Sequence, residues 1–182
     1  MLTLTPHARQ QTGFTLLEIL IAIVLLAFGL LGIASLQVKI QGAGMESFQR
    51  SQAILMLQDM VGRINANRAN ATAYLATNVG TGETRTNCTG SLAAQDLCEW
   101  SQALKGAAEE LSDGTQVGGM IGALGCIEQI NAGPPQTLRV TVAWQGLSAT
   151  SAPSLTCGQG EYGDDDKFRR VISSLVTIAK LD

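Results

Sequence analysis

Histidine is almost absent from this chain, and what little there is lies at the extreme amino end: the only one is His7. Beyond residue 7 no Ser-His-Asp or Cys-His nucleophile arrangement can be built, and the usual histidine-bearing zinc sites are excluded with them. Less common Ser-Lys or paired-carboxylate schemes remain. Glu109 and Glu110, adjacent on an expected helix, point in different directions and make no catalytic pair. Aromatic residues are scarce and the net charge is −3, with no basic stripe interleaved with aromatics, so nothing invites nucleic acid. Proline is missing from the whole stretch between Pro6 and Pro134, so no proline interrupts a helix there. No Cys-x-x-Cys pair occurs. An enzyme is the least favoured class, and no cofactor or metal is expected.

What the chain does have is one apolar run of membrane length. From Ile19 to Leu36 it is uncharged and nearly all apolar, close to the roughly 20 residues a helix needs to cross the hydrocarbon core of a bilayer. Near the start of this run stands one carboxylate, Glu18. An ionisable group at mid-bilayer costs about 2.5 to 3.5 kcal/mol, less near a helix end, so it marks a function rather than a packing choice. Such a carboxylate becomes tolerable when an ammonium pairs with it. Glu18 therefore needs a partner. An ordinary secretory signal has a shorter apolar stretch and would not place an acid there. A plain single-span anchor would leave Glu18 reaching for the interface.

Gly13-Phe14-Thr15-Leu16-Leu17-Glu18, after a short polar leader with Arg9 and before the long apolar helix, resembles the class III processing signal of type IV prepilins and pseudopilins. The resemblance implies that a prepilin peptidase cuts after Gly13 and methylates the new amino terminus at Phe14. It also implies that Glu18, fifth residue of the processed chain, is compensated by the amino terminus of Phe14 from its own or a neighbouring subunit. The downstream text Leu25 to Gln37 is similar to PilV-type minor pilins; major pilins usually carry a proline in the distal part of this helix, and this chain has none there. The implied role is that of a minor pilin that primes type IV pilus assembly at or near the tip. Its implied partners are other minor pilins and the major pilin, met through the amino-terminal helix, together with the prepilin peptidase and the inner-membrane assembly machinery. The implied location is the inner membrane, head in the periplasm, and afterwards the extracellular pilus. A minor pseudopilin of a type II secretion system shares the same amino-terminal chemistry, and a tip adhesin or ligand-binding module is a further alternative.

The expected organisation is a leader over 1–13, a transmembrane and assembly helix over 14–36, an amphipathic continuation over 37–76, and a globular α+β head over 77–182. Ile54, Leu57, Val61 and Ile64 fall at helical spacing with Gln58, Asp59 and Arg63 for the other face, so the helix is expected to run from Phe14 to about Tyr74. Asn78 to Gly90 reads as loop. A short helix over about Ser91 to Leu111, with Trp100 inward, is stopped by Ser112-Asp113-Gly114-Thr115. Leu138, Val140, Val142 and Trp144 alternate with Arg139, Thr141 and Ala143 as a strand with one buried face. Phe168 to Ala179 and Met120 to Ile130 read as further strands. The fold class is α+β, pilin-like: a long amino-terminal helix on a small antiparallel sheet.

Cys88, Cys98, Cys126 and Cys157 are an even set in a domain expected outside the cytoplasm, which reads as disulfides. Three pairings are open and the sequence does not choose; Cys88 with Cys98 and Cys126 with Cys157 is favoured, because each would clip one half of the head. Asp164-Asp165-Asp166 is the one dense acidic cluster, read as a solvated hairpin loop rather than a calcium site. Asn70-Ala71-Thr72 and Asn87-Cys88-Thr89 match a glycosylation pattern too short to carry weight alone.

Overall fold

A computed structural model describes residues 13–83, 87–106, 120–163 and 165–179. The chain divides into two compact units, one ending at Ala43 and the other beginning at Gly44. Helix α1, Leu16–Ala66, runs through the division. In the second unit it is followed by a 3-10 helix, Arg68–Tyr74, then β1 (Ala76–Gly80), α2 (Leu92–Lys105), β2 (Leu124–Asn131), β3 (Gln136–Gln145) and β4 (Arg169–Ile178). The four strands form one antiparallel sheet in the order β1-β2-β3-β4. A long amino-terminal helix packed on a small antiparallel sheet is the α+β class that the residue pattern predicts.

The second half of α1 buries Gln49, Ala53, Leu57, Met60 and Ile64. This stripe differs from the expected one at two places: Ala53 is buried instead of Ile54, which is 39 % exposed, and Met60 instead of Val61, which is half-buried. The indole of Trp100, fully buried on α2, donates through Nε1 to the carbonyl of Met56 at 2.9 Å. Ser91 caps α2 by accepting from the Ala94 amide. Gly106, left-handed at φ 82°, ends it earlier than expected, its N–H turning back to Gln102 and Ala103. The expected extension through Leu111 and the stop at Ser112 to Thr115 lie outside the described residues.

The α-helix also ends before Tyr74. At Asn67 the backbone leaves helical geometry (φ −113°, ψ 38°) and continues as the 3-10 helix. Asparagine side chains offer the backbone alternatives to a helical ladder. Here the Asn67 amide donates to the Tyr74 hydroxyl at 3.2 Å while its carbonyl oxygen accepts from Asn70 at 2.9 Å. The tightened turn buries Tyr74 completely and lets its hydroxyl donate to Asp96. The expected loop from Asn78 also gives way to structure, because β1 occupies Ala76–Gly80 and pairs with β2 across a bulge at Asn78 (φ 51°). Gly80, at φ 126°, closes the strand where a Cβ would meet the Ala123 carbonyl oxygen.

β3 departs from the expected single buried face. Leu138, Val140, Val142 and Trp144 face the helical side of the core, but Thr141 and Ala143 on the other face are buried too. The long β3–β4 connection covers them: Cys157 and Tyr162 pack with Leu124, Cys126 and Ala143 as a second, smaller core. Tyr162 is fixed there by donating its hydroxyl to the Gly122 carbonyl at 2.6 Å, and burial raises its pKa. The same connection corrects the solvated reading of the acidic run. Asp166 is buried, with its carboxylate accepting from the Gly160 amide and lying 3.3 Å from Arg169 Nε. Asp165 stays on the surface beside Lys167, and Asp164 lies outside the described residues.

Candidate processing and assembly segment

Gly13, Phe14 and Thr15 precede the helix, and all are exposed, Phe14 at 80 %. Helix α1 begins at the next residue because Thr15 caps it. The Thr15 hydroxyl accepts from the Glu18 amide at 3.2 Å, and its carbonyl accepts from the amides of Glu18 and Ile19. Threonine followed three residues later by glutamate is the sequence of a capping box. A carboxylate in the first turn also sits at the positive end of the helix dipole. Thus the Gly13–Phe14 bond lies in open, non-helical backbone two residues ahead of the cap, where a protease can reach it. Glu18 lies one turn further in.

From Leu16 to Leu36 the large apolar side chains of α1 are all exposed. A surface that apolar marks a membrane or protein contact rather than a solvated face. At 1.5 Å per residue the uncharged stretch from Ile19 to Leu36 covers about 27 Å, near the thickness of a hydrocarbon core. Among the described residues, α1 is the one helix long and apolar enough to span a membrane. A Cβ on Gly29 or Gly32 would meet nothing within 4 Å in the chain itself. Nothing in the fold of this subunit requires glycine at those positions, which leaves them open to the close approach of another helix.

In the second unit, Cys88 is bonded to Cys98 and Cys126 to Cys157, with Cα separations of 5.2 and 5.8 Å. The first bridge fastens the segment before α2 to the helix itself. The second fastens the β3–β4 connection to β2. Arg63 of α1 gathers three carboxylates, Asp59 and Asp96 at 2.9 Å and Glu99 at 2.7 Å. Burial works against its charge, but the hydrogen bonds to Glu99, Asp96 and Asp59 outweigh that and raise its pKa. Burial, then the hydrogen bond to Asp96, raises the Tyr74 phenol. No group of three or more potential metal ligands occurs among the described residues.

Sequence reasoning missed Glu46. Its Oε1 accepts from the amides of Leu147 and Ser148, from the Ser148 hydroxyl at 2.9 Å and from Arg170 at 3.3 Å. The Ser148 hydroxyl leads the causes that hold this carboxyl below its ordinary value, and Arg170 adds to it. A partner about a hundred residues away leaves no local signal. The head also carries an open cleft of about 520 Å³ beside Arg68, Pro134, Gln136 and Ile178. A smaller one of about 390 Å³ lies beside Asn78, Glu83 and Glu161.

An apolar helix with a processing-like start and a disulfide-bonded α+β head defines a pilin-like subunit. Residues 8–34 match the family model of the prokaryotic N-terminal methylation motif, and residues 35–105 match that of Tt1218-like proteins, described as type IV pilin Tt1218. The two matches support a type IV pilin family and, with it, a structural pilin role entered through prepilin processing. No curated protein and no solved structure matches the chain.

Proposed function

We propose that this chain is a PilV-type minor pilin that primes assembly of a type IV pilus and resides at or near its tip. The observation that carries the reading is the ordered start of α1. An open Gly13–Phe14 bond, the Thr15 cap and Glu18 in the first turn lead directly into the exposed apolar face. Cleavage after Gly13 would place a new ammonium group at Phe14, and methylation keeps its positive charge. An ammonium beside a carboxylate in an apolar medium offsets much of the cost of burying either. Glu18 is then a partner for the amino terminus of its own or a neighbouring subunit, and the apolar helix is the surface that meets other minor pilins and the major pilin.

Before assembly the helix lies in the inner membrane, with the head in the periplasm, where Cys88–Cys98 and Cys126–Cys157 meet oxidising conditions. The uninterrupted α1, without proline, supports a minor rather than a major subunit. The test is a clean deletion strain scored for surface pili and twitching motility alongside the amount of exoprotein released. Lost pili with normal secretion is the expected result. Lost secretion with normal pili assigns the chain to a type II secretion pseudopilus instead.

A further inference from the structure

Just after α1 ends, the chain meets the end of the sheet that holds the β2–β3 turn. Arg68 and Ala69 at the start of the 3-10 helix, that turn, and the end of β4 at Ile178 enclose the cleft of about 520 Å³. Sites for small molecules fall in the range of about 300 to 1,000 Å³ and are mostly apolar, with a few polar groups that fix the ligand. Here Ala69, Ala132, Pro134 and Ile178 supply the apolar wall, and Ile178 also packs against the main core. The turn is held by Asn131, whose amide donates to the Pro135 carbonyl at 3.0 Å while its side-chain oxygen accepts from the Gly133 amide at 3.2 Å. A wall fixed by its own hydrogen bonds stands ready before anything binds, so a ligand has less of the chain to order.

Two polar side chains line this cleft, Arg68 and Gln136. Neither has a hydrogen bond or an ion pair among the described residues. Arg63, Arg139, Arg169 and Arg170 each lie within ion-pair distance of a carboxylate, so Arg68 differs from them in having its fork of donors uncommitted. No acidic residue lines the cleft among the described residues. A guanidinium matches the two oxygens of a carboxylate with two parallel N–H bonds, and the Gln136 amide adds a further donor. A phosphate would find the same fork, but its remaining charged oxygens would face apolar walls without partners, which is costly.

We propose that this cleft binds a carboxylate carried on a compact apolar body. Arg68 takes the carboxylate, Gln136 donates to it, and the wall from Ala69 to Ile178 covers the apolar part. Both a free organic acid and the terminal carboxylate of a peptide chain present this chemistry.

The test is an NMR titration of the isotope-labelled mature chain in detergent, read at the backbone amides of Gly133 and Gln136. The probes are 3-methylbutanoate, acetyl-Ala-Val with a free carboxylate, and the same peptide amidated. Saturable shifts are expected for at least one carboxylate probe below about 10 mM, the range of a weak small-ligand site. Arg68→Gln, at an exposed position, and amidation of the peptide should each weaken binding about tenfold or more, the loss of a charged hydrogen bond. Arg50→Gln, which removes the same charge from an exposed position on α1, should leave binding unchanged. Tighter binding of the peptide identifies a chain end as the ligand, and tighter binding of 3-methylbutanoate identifies a free acid. The absence of saturable shifts with both carboxylates overturns the proposal, and so does binding that survives Arg68→Gln or amidation, or that is lost equally in Arg50→Gln.

Discussion

Gly125 on β2 lies against the indole of Trp100 on α2, and a Cβ at Gly125 would stand far inside van der Waals contact with the six-membered part of that ring. The absence of a side chain at one residue therefore makes room for the largest fully buried side chain. Trp100 in turn reaches the Met56 carbonyl of α1, so sheet, short helix and long helix meet at one place.

Gly125→Ala is expected to destabilise the head by about 1 to 3 kcal/mol or more, the cost of overpacking a filled core. Urea unfolding of the mature protein in detergent, followed by Trp fluorescence, measures it. A loss below about 0.5 kcal/mol would show that the ring moves aside freely.

The elements that sequence made legible were those with a local pattern. The apolar run ahead of the head, the inward Trp100, and β3 and β4 follow from spacing and β-branched content. What escaped depends on partners far along the chain. The helix stops at Ala66 because Asn67 finds Asn70 and Tyr74, and Tyr74 finds Asp96. Thr141 and Ala143 are buried because a connection tied by Cys157 folds over them. Asp166 is buried because Arg169 lies beside it. In the amino-terminal segment the role of Thr15 as the helix cap was not singled out.

The two disulfides should contribute unequally. Cys126–Cys157 joins residues 31 apart and Cys88–Cys98 residues 10 apart. The chain-entropy model gives about 3.7 and about 2.7 kcal/mol respectively. Replacing Cys126 and Cys157 together by Ala is thus expected to lower stability more than replacing Cys88 and Cys98. Denaturant midpoints of the two double variants decide this, and the reverse order would show that the smaller core around Cys157 adds little.

Acid should loosen the tie between Glu46 and the β3–β4 connection. Its carboxyl is held below the ordinary value of 4.5 when folded, first by the Ser148 hydroxyl and also by Arg170. A depressed folded pKa stabilises the fold above the unfolded value and loses that contribution as pH falls through the folded one. Glu46→Gln is therefore expected to melt below wild type at pH 6, with the gap narrowing below about pH 4. A gap that stays constant down to pH 3 would assign the effect to shape rather than charge.

Glu18→Ala is expected to leave the protein inserted in the membrane while reducing its incorporation into the fibre severalfold. Immunoblots of membrane and sheared-pilus fractions read both quantities. Normal incorporation would remove Glu18 from assembly.

The most direct measurement is the intact mass and amino-terminal sequence of the chain purified from its own membranes. The account predicts a polypeptide that begins at Phe14 and carries one added methyl group on its amino terminus. A chain that retains residues 1–13, or one cut within or after the apolar run near Ala34, would contradict it.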